Sequence, residues 1–170
     1  MEVPLIEWKT SGREGEELID LKDLIEKAIR TYKIDGVCTG VLFSEYQKKR
    51  IDKICKQLMI RHYAPLWHVD QEKELREMLK EGFEIVFTTV AAEGLDDSWL
   101  GRIITENDVD KLVELSKRKR INISGEGGEY ESLVLNAPIF KERIVVLKWV
   151  KKNNRLIIKE ATLSEKAKNP

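Results

Sequence analysis

The chain has 170 residues, with 30 basic and 30 acidic side chains, so its formal net charge is zero and no overall field directs it to nucleic acid or to a membrane surface. This length suits one ordinary domain, or one domain with a small appendage, and allows a real core. Two cysteines, Cys38 and Cys55, lack C-x-x-C spacing and a nearby histidine, which excludes a zinc set and predicts two buried thiols.

No apolar run is long enough to span a bilayer and the N-terminus lacks a signal-peptide pattern, which predicts a cytoplasmic protein. Val3 to Trp8 is a short apolar run closed by turn residues, and it reads as a strand. The helix after it, from about Glu16, turns Leu18, Leu21, Ile25, Ala28 and Ile29 to one face. Gly36 to Leu42 has few charges and no alternation, as in a parallel strand covered on both faces.

Phe43 to Arg50 opens a second helix with Ile51, Ile54, Cys55 and Leu58 inward. Ser44 and Gln47 have capping-box spacing. The same geometry, a helix start at the carboxyl end of a parallel strand, offers free amides and a positive dipole to an anion. From there Arg50 would reach a phosphate or pair with Glu45 or Glu77. A short strand at Arg61 to Trp67 is broken by Pro65, and Asp70 caps a helix that turns Leu75, Met78 and Leu79 inward and stops at Gly82. His62 and His68 lie outside metal-ligand spacing and read as partly exposed structural residues.

Phe83 to Val90 is the strongest strand pattern in the chain. The loop from Ala91 to Arg102 follows it, and Trp99 there would either line a substrate mouth or plug the seam under the next helix. Thr105 and Asp108 cap that helix, whose basic end, Lys117 to Arg120, reads as solvated charge that complements the dipole. Gly125-Glu126-Gly127-Gly128-Glu129-Tyr130-Glu131 then packs three acids and three glycines into seven residues. It is either a tight acidic turn or a segment whose carboxylates converge on a cation, an amine or a magnesium-bound phosphate. Two β-type runs, Arg143 to Val150 and Arg155 to Thr162, flank a turn at Lys151 to Asn154 and read as a hairpin. Residues 164–170 form a polar tail that is expected to fray.

Taken in order, Gly40, Ser44-x-x-Gln47-x-x-Arg50, Pro65-Leu66-Trp67-x-x-Asp70, Trp99-Leu100-Gly101-Arg102, Glu126-Gly127-Gly128-Glu129 and Asn136-Ala137-Pro138 resemble the diphthine:ammonia ligase family. Its members are adenine-nucleotide-binding proteins of the PP-loop ATP pyrophosphatase superfamily. The resemblance implies an α/β fold, with a partial Rossmann-like parallel sheet and helices on both faces, then a small antiparallel β-rich C-terminal portion. It divides the chain into a nucleotide-binding part at 1–90, a substrate-pocket part at 91–163 and a tail.

The implied reaction is ATP-dependent, with Mg2+, and converts diphthine on elongation factor 2 to diphthamide with ammonia as nitrogen donor and AMP as by-product. Gly40, Ser44, Gln47 and Arg50 would face the nucleotide. Glu126 and Glu129 would act on the cationic substrate or ammonium, and Trp99, Gly101, Arg102, Gly127, Gly128, Tyr130 and Glu131 would line the substrate pocket. One feature departs from the family: the S-G-G-K-D-S phosphate loop is absent, and with it the first two strand-helix units. The missing strands would come from a companion chain or a homodimer, or the remaining strands would pair directly. The alternative is a non-catalytic binding module that keeps the substrate pocket without ATP turnover.

Overall fold

A computed structural model describes residues 3–13 and 15–166. The chain divides into two compact units, Val3–Val69 and a second that begins at Asp70.

In the first unit, α1 (Glu16–Tyr32) is followed by β1 (Gly36–Cys38), α2 (Glu45–Gln57) and β2 (Arg61–Tyr63). β1 and β2 pair in parallel, with Val37 opposite His62, and the ladder extends one step where the Thr39 amide donates to the Tyr63 carbonyl at 2.9 Å. Ile25, Val41, Leu42, Ile54 and Cys55 are the buried apolar residues of this unit. Val3 to Trp8 is not a strand: Pro4 has no amide to donate and no neighbouring strand lies beside the segment among the described residues. Val3, Pro4 and Ile6 instead line a shallow apolar cleft with Leu24, Ile25 and Tyr32. Cys55 is buried as expected, whereas Cys38 is exposed, because it ends a three-residue strand with little packed on it.

The second unit holds α3 (Gln71–Lys80), β3 (Glu84–Val90), a single 3-10 turn at Asp97–Trp99, α4 (Glu106–Lys119), β4 (Tyr130–Asn136), β5 (Glu142–Lys152) and β6 (Arg155–Glu165). Its four strands form one antiparallel sheet in the order β4-β3-β6-β5. The overall class is mixed α/β, a small parallel sheet followed by an antiparallel portion, as the sequence predicts. The expected boundary after residue 90 moves back to 69/70. The reason is packing: Leu75 of α3 and Ile85, Phe87 and Val90 of β3 belong to the core built with Val109 and Leu112 of α4 and Tyr130 of β4.

Local signals set the ends of these elements. Asp70 accepts from the Lys73 amide at 2.8 Å, and Thr105 with Asp108 forms a complete capping box. The hairpin turns on Asn153 and Asn154, both at positive φ (52° and 57°), the conformation that suits the twist of a two-residue β-hairpin. Ser164 and Glu165 do not fray but close β6 opposite Arg143 and Glu142, and residues 167–170 of the expected tail lie outside the described residues. No helix among the described residues is long and apolar enough to cross a membrane.

Candidate functional site

The acidic glycine segment is a loop between α4 and β4 that is tied together by its own groups. Glu129 accepts from the Asn122 amide at 2.8 Å, from the Asn122 side chain at 2.9 Å and from the Gly127 amide at 2.8 Å. Partial burial pushes the Glu129 carboxyl up, but these donors outweigh it and hold the group below its ordinary range. A Cβ on Gly127 would sit 2.6 Å from Glu129 Oε1, so this glycine is what lets the carboxylate fold back. Gly125 stands at φ +75°, and a Cβ there would press on the Tyr130 ring at 3.0 Å. Tyr130 is buried, stacks on Phe87 with centroids 3.8 Å apart and donates its hydroxyl to the Ile123 carbonyl at 2.5 Å.

Glu129 and Tyr130, expected at the reacting centre and in the substrate pocket, are therefore engaged in holding the loop. Glu126 and Glu131 are exposed. Glu74, on α3, is a residue that sequence reasoning missed. Its carboxyl is pushed up first by burial and second by the charge of Glu126, which places two acids in one small region. Gln71, one turn earlier, accepts from the Ser124 amide at 3.2 Å, and the buried Ser124 hydroxyl has no hydrogen-bond partner. Two carboxylates set close together, one of them half-buried, attract a cation even when it brings no hydrogen-bond donor, as in a quaternary ammonium. The 53-residue gap between Gln71 and Ser124 is why no local signal shows this pairing.

The loop after β3 resolves the choice for Trp99. It is buried, stacks on Phe87 at 5.9 Å and carries the Arg102 guanidinium 4.9 Å above its ring, so it plugs the seam. Arg102 also pairs with Asp108 at 2.5 Å, and Asp108 accepts from the Thr105 amide and hydroxyl at 3.0 and 2.8 Å. Burial raises the Asp108 carboxyl, yet Arg102 and Thr105 bring it down to about 2. Gly101 packs under Leu156, 3.1 Å from where a Cβ would lie. These three expected substrate residues thus have structural partners.

In the first unit, Ser44 is the N-cap of α2 and accepts from the Gln47 amide at 3.3 Å, while the Gln47 side chain is exposed. A Cβ on Gly40 would meet nothing within 4 Å, so a ligand can approach that backbone. Arg50 pairs with Glu17 at 3.4 Å rather than with Glu45 or Glu77, and its guanidinium lies 3.8 Å over the Tyr46 ring. Glu45 is held instead by Lys49 at 3.1 Å. Arg50 opens onto a cleft of about 610 Å³ between α1 and α2, with Leu18 and Ile54 inside and Lys22, Lys49 and Lys53 around it. His62 is partly exposed as a residue, as expected, while its side chain is nearly covered, between Asp52 and Thr39. No three acids, histidines or cysteines among the described residues gather to hold a metal ion.

Comparison with known proteins matches residues 1–62 to the diphthamide synthase N-terminal domain and residues 70–163 to the diphthamide synthase C-terminal domain. The chain belongs to the diphthamide synthase family. The second match begins at residue 70, where the second unit also begins. Similar proteins named diphthine–ammonia ligase include that of Rattus norvegicus, 42% identical over 134 residues, and that of Homo sapiens, 38% identical; each alignment covers 78% of this chain and 50% of the relative. The Schizosaccharomyces pombe protein of that name is 40% identical, with 22% of its length covered. The chain thus spans about half the length of the mammalian relatives it matches.

Proposed function

We propose that this chain is part of an ATP-dependent, AMP-forming amide ligase that converts diphthine on elongation factor 2 to diphthamide with ammonia. The observation that carries the reading is the match of both units to the two domains of one synthase family, joined to an acidic loop whose shape depends on Glu129, Gly125 and Gly127. Glu126, whose charge Glu74 feels, supplies the negative charge for the trimethylammonio group, and the exposed Glu131 adds to it. Glu129 serves by ordering the loop. Gly127 and Gly128 leave the backbone open to substrate, and Trp99, Gly101 and Arg102 support the pocket from beneath.

On the first unit, the α2 start at Ser44 and Gln47, the open backbone of Gly40, and Arg50 suit an adenine nucleotide with its Mg2+. The chain's own residues bind and orient there, and in-line attack on ATP requires no protein nucleophile. The family's S-G-G-K-D-S phosphate loop does not occur in these 170 residues, and the test below supplies it separately. Among the described residues β1 pairs only with β2, so its outer edge is open to a strand from a companion chain or a second copy.

Mixing the chain with diphthine-bearing elongation factor 2, ATP and ammonium, with and without an N-terminal companion that bears the phosphate loop, tests this reading. AMP and amide are expected with the companion, and no AMP in either mixture overturns the proposal. A second reading is a docking module without ATP turnover. Calorimetry separates the two: such a module gives heat with the elongation factor and none with ATP.

A further inference from the structure

The first unit contains a line of three side chains, spread over three elements, that the proposed roles leave unused. Asp52 of α2 lies 2.6 Å from His62 Nδ1, and Thr39, just after β1, places its hydroxyl 2.8 Å from His62 Nε2. The His62 side chain is 5% exposed. Lys48 fixes the other Asp52 oxygen at 2.8 Å, and the hydrogen bonds from Lys48 and then His62 keep the carboxyl below its ordinary range. An ionised carboxylate can only accept, so Nδ1 carries a hydrogen toward Asp52; in the neutral imidazole Nε2 is then the acceptor and the Thr39 hydroxyl donates to it.

This leaves the lone pairs of Thr39 Oγ1 to accept from a ligand. Thr39 is only half-buried and adjoins Gly40, beyond whose Cα there is open space. Asp52 pairs one ring nitrogen and Thr39 the other; because Thr39 is itself half-buried after the carboxyl end of a parallel strand and adjoins open space at Gly40, the same line connects a shielded imidazole to a hydroxyl that a ligand can reach.

We propose that Thr39, backed by His62 and Asp52, takes a proton from ammonium and so supplies the ammonia that forms the amide, an inference that rests on the ligase reading above. At neutral pH the nitrogen donor is mostly ammonium, which has no lone pair with which to attack. One N–H bond of ammonium breaks as its proton passes to Thr39 Oγ1, and the Thr39 proton passes to His62 Nε2, leaving an imidazolium beside ionised Asp52. The freed lone pair attacks the acyl carbon of the adenylate, the C–O bond to the α-phosphate breaks with its electron pair on AMP, and the new amide loses its surplus proton to water. The imidazolium then returns its proton to solvent. Because the carboxyl under attack is joined to the nucleotide, the base that frees ammonia belongs on the nucleotide-holding unit.

Hydroxylamine, unprotonated at neutral pH, tests the relay because it needs no base. With the chain and its phosphate-loop companion, Thr39→Val and His62→Gln are expected to lower amide formation from ammonium by about 100-fold while hydroxamate formation from hydroxylamine stays within about threefold of wild type. Thr39→Ser, which keeps the hydroxyl, restores the ammonium reaction. An unchanged ratio of amide to hydroxamate in Thr39→Val overturns the relay and leaves the ligase reading intact; a wild type that forms neither product overturns both. Nitrogen NMR of the imidazole gives a readout free of turnover: Nδ1 protonated and Nε2 accepting is expected, and the opposite tautomer overturns the relay.

Discussion

The two units differ in how much of their structure they complete. The unit that begins at Asp70 closes a four-stranded sheet over a continuous core in which Phe87 is 1% exposed and Val109 and Leu112 are fully buried. The unit before it has two three-residue strands, and it leaves Val3, Leu5, Ile19, Phe43 and Tyr46 exposed. Both units leave apolar side chains exposed, Leu147, Trp149 and Leu163 of the hairpin among them, so the difference lies in the core: the unit from Asp70 buries a continuous one, whereas the unit before it buries Ile25, Val41, Leu42, Ile54 and Cys55 beside a two-stranded sheet. The contrast fits the roles proposed for each, with the acidic loop carried on the larger core and the nucleotide on the unit with the two-stranded sheet.

The largest effect expected from breaking this contrast is in the second core. Phe87→Ala removes a ring stacked on both Trp99 and Tyr130 and is expected to cost about 3–5 kcal/mol. Denaturant unfolding checks it, and Ile54→Ala in the first unit should cost less in the same measurement. Arg102→Ala leaves the Asp108 carboxylate buried without its main partner, and about 3 kcal/mol is expected to be lost. The pH dependence has a definite sign. Asp108 falls from 3.8 to about 2 in the folded chain, so its contribution, about 2 kcal/mol, is present above pH 3.8 and is lost as pH drops toward 2. Acid titration of wild type against Asp108→Asn shows whether that slope belongs to this group.

Gly125→Ala is smaller and local. Positive φ and the press on Tyr130 cost about 1–2 kcal/mol, and amide exchange in the loop should rise before global stability changes much. The smallest effect is Ser44→Ala, which removes the α2 cap and costs about 1 kcal/mol in the first unit only. Hydrogen exchange resolved to α2 reads it.

Features fixed by near neighbours were legible in the sequence. Asp70 and Thr105 cap helices through residues three positions on, and the Asn153-Asn154 turn marks the hairpin from its own backbone needs. What depends on distant partners was not. The run around β3 is apolar on both faces, and such a run suits a covered parallel strand as well as one inside an antiparallel sheet, so its true neighbours, β4 and β6, left no mark on it. Val3 to Trp8 has strand composition but, among the described residues, no strand pairs with it. The site follows the same rule: Glu129 tied to Asn122 is a near-sequence arrangement, whereas Glu74 near Glu126 and the Asp52-His62-Thr39 line are brought together only by folding. Counting acids in the loop marks Glu126 and Glu129 alike, and only the folded loop separates the exposed Glu126 from the tied Glu129.

The central claim is that the charge of Glu126 and Glu74 selects a trimethylammonio group. The most direct measurement is the affinity of the intact chain for elongation factor 2 carrying diphthine against the same factor with an unmodified histidine, repeated with Glu126→Gln. The account predicts a clear preference for diphthine in the wild type that weakens about tenfold in the variant. Equal affinity for the two forms of the factor, or a preference that Glu126→Gln leaves untouched, would contradict it.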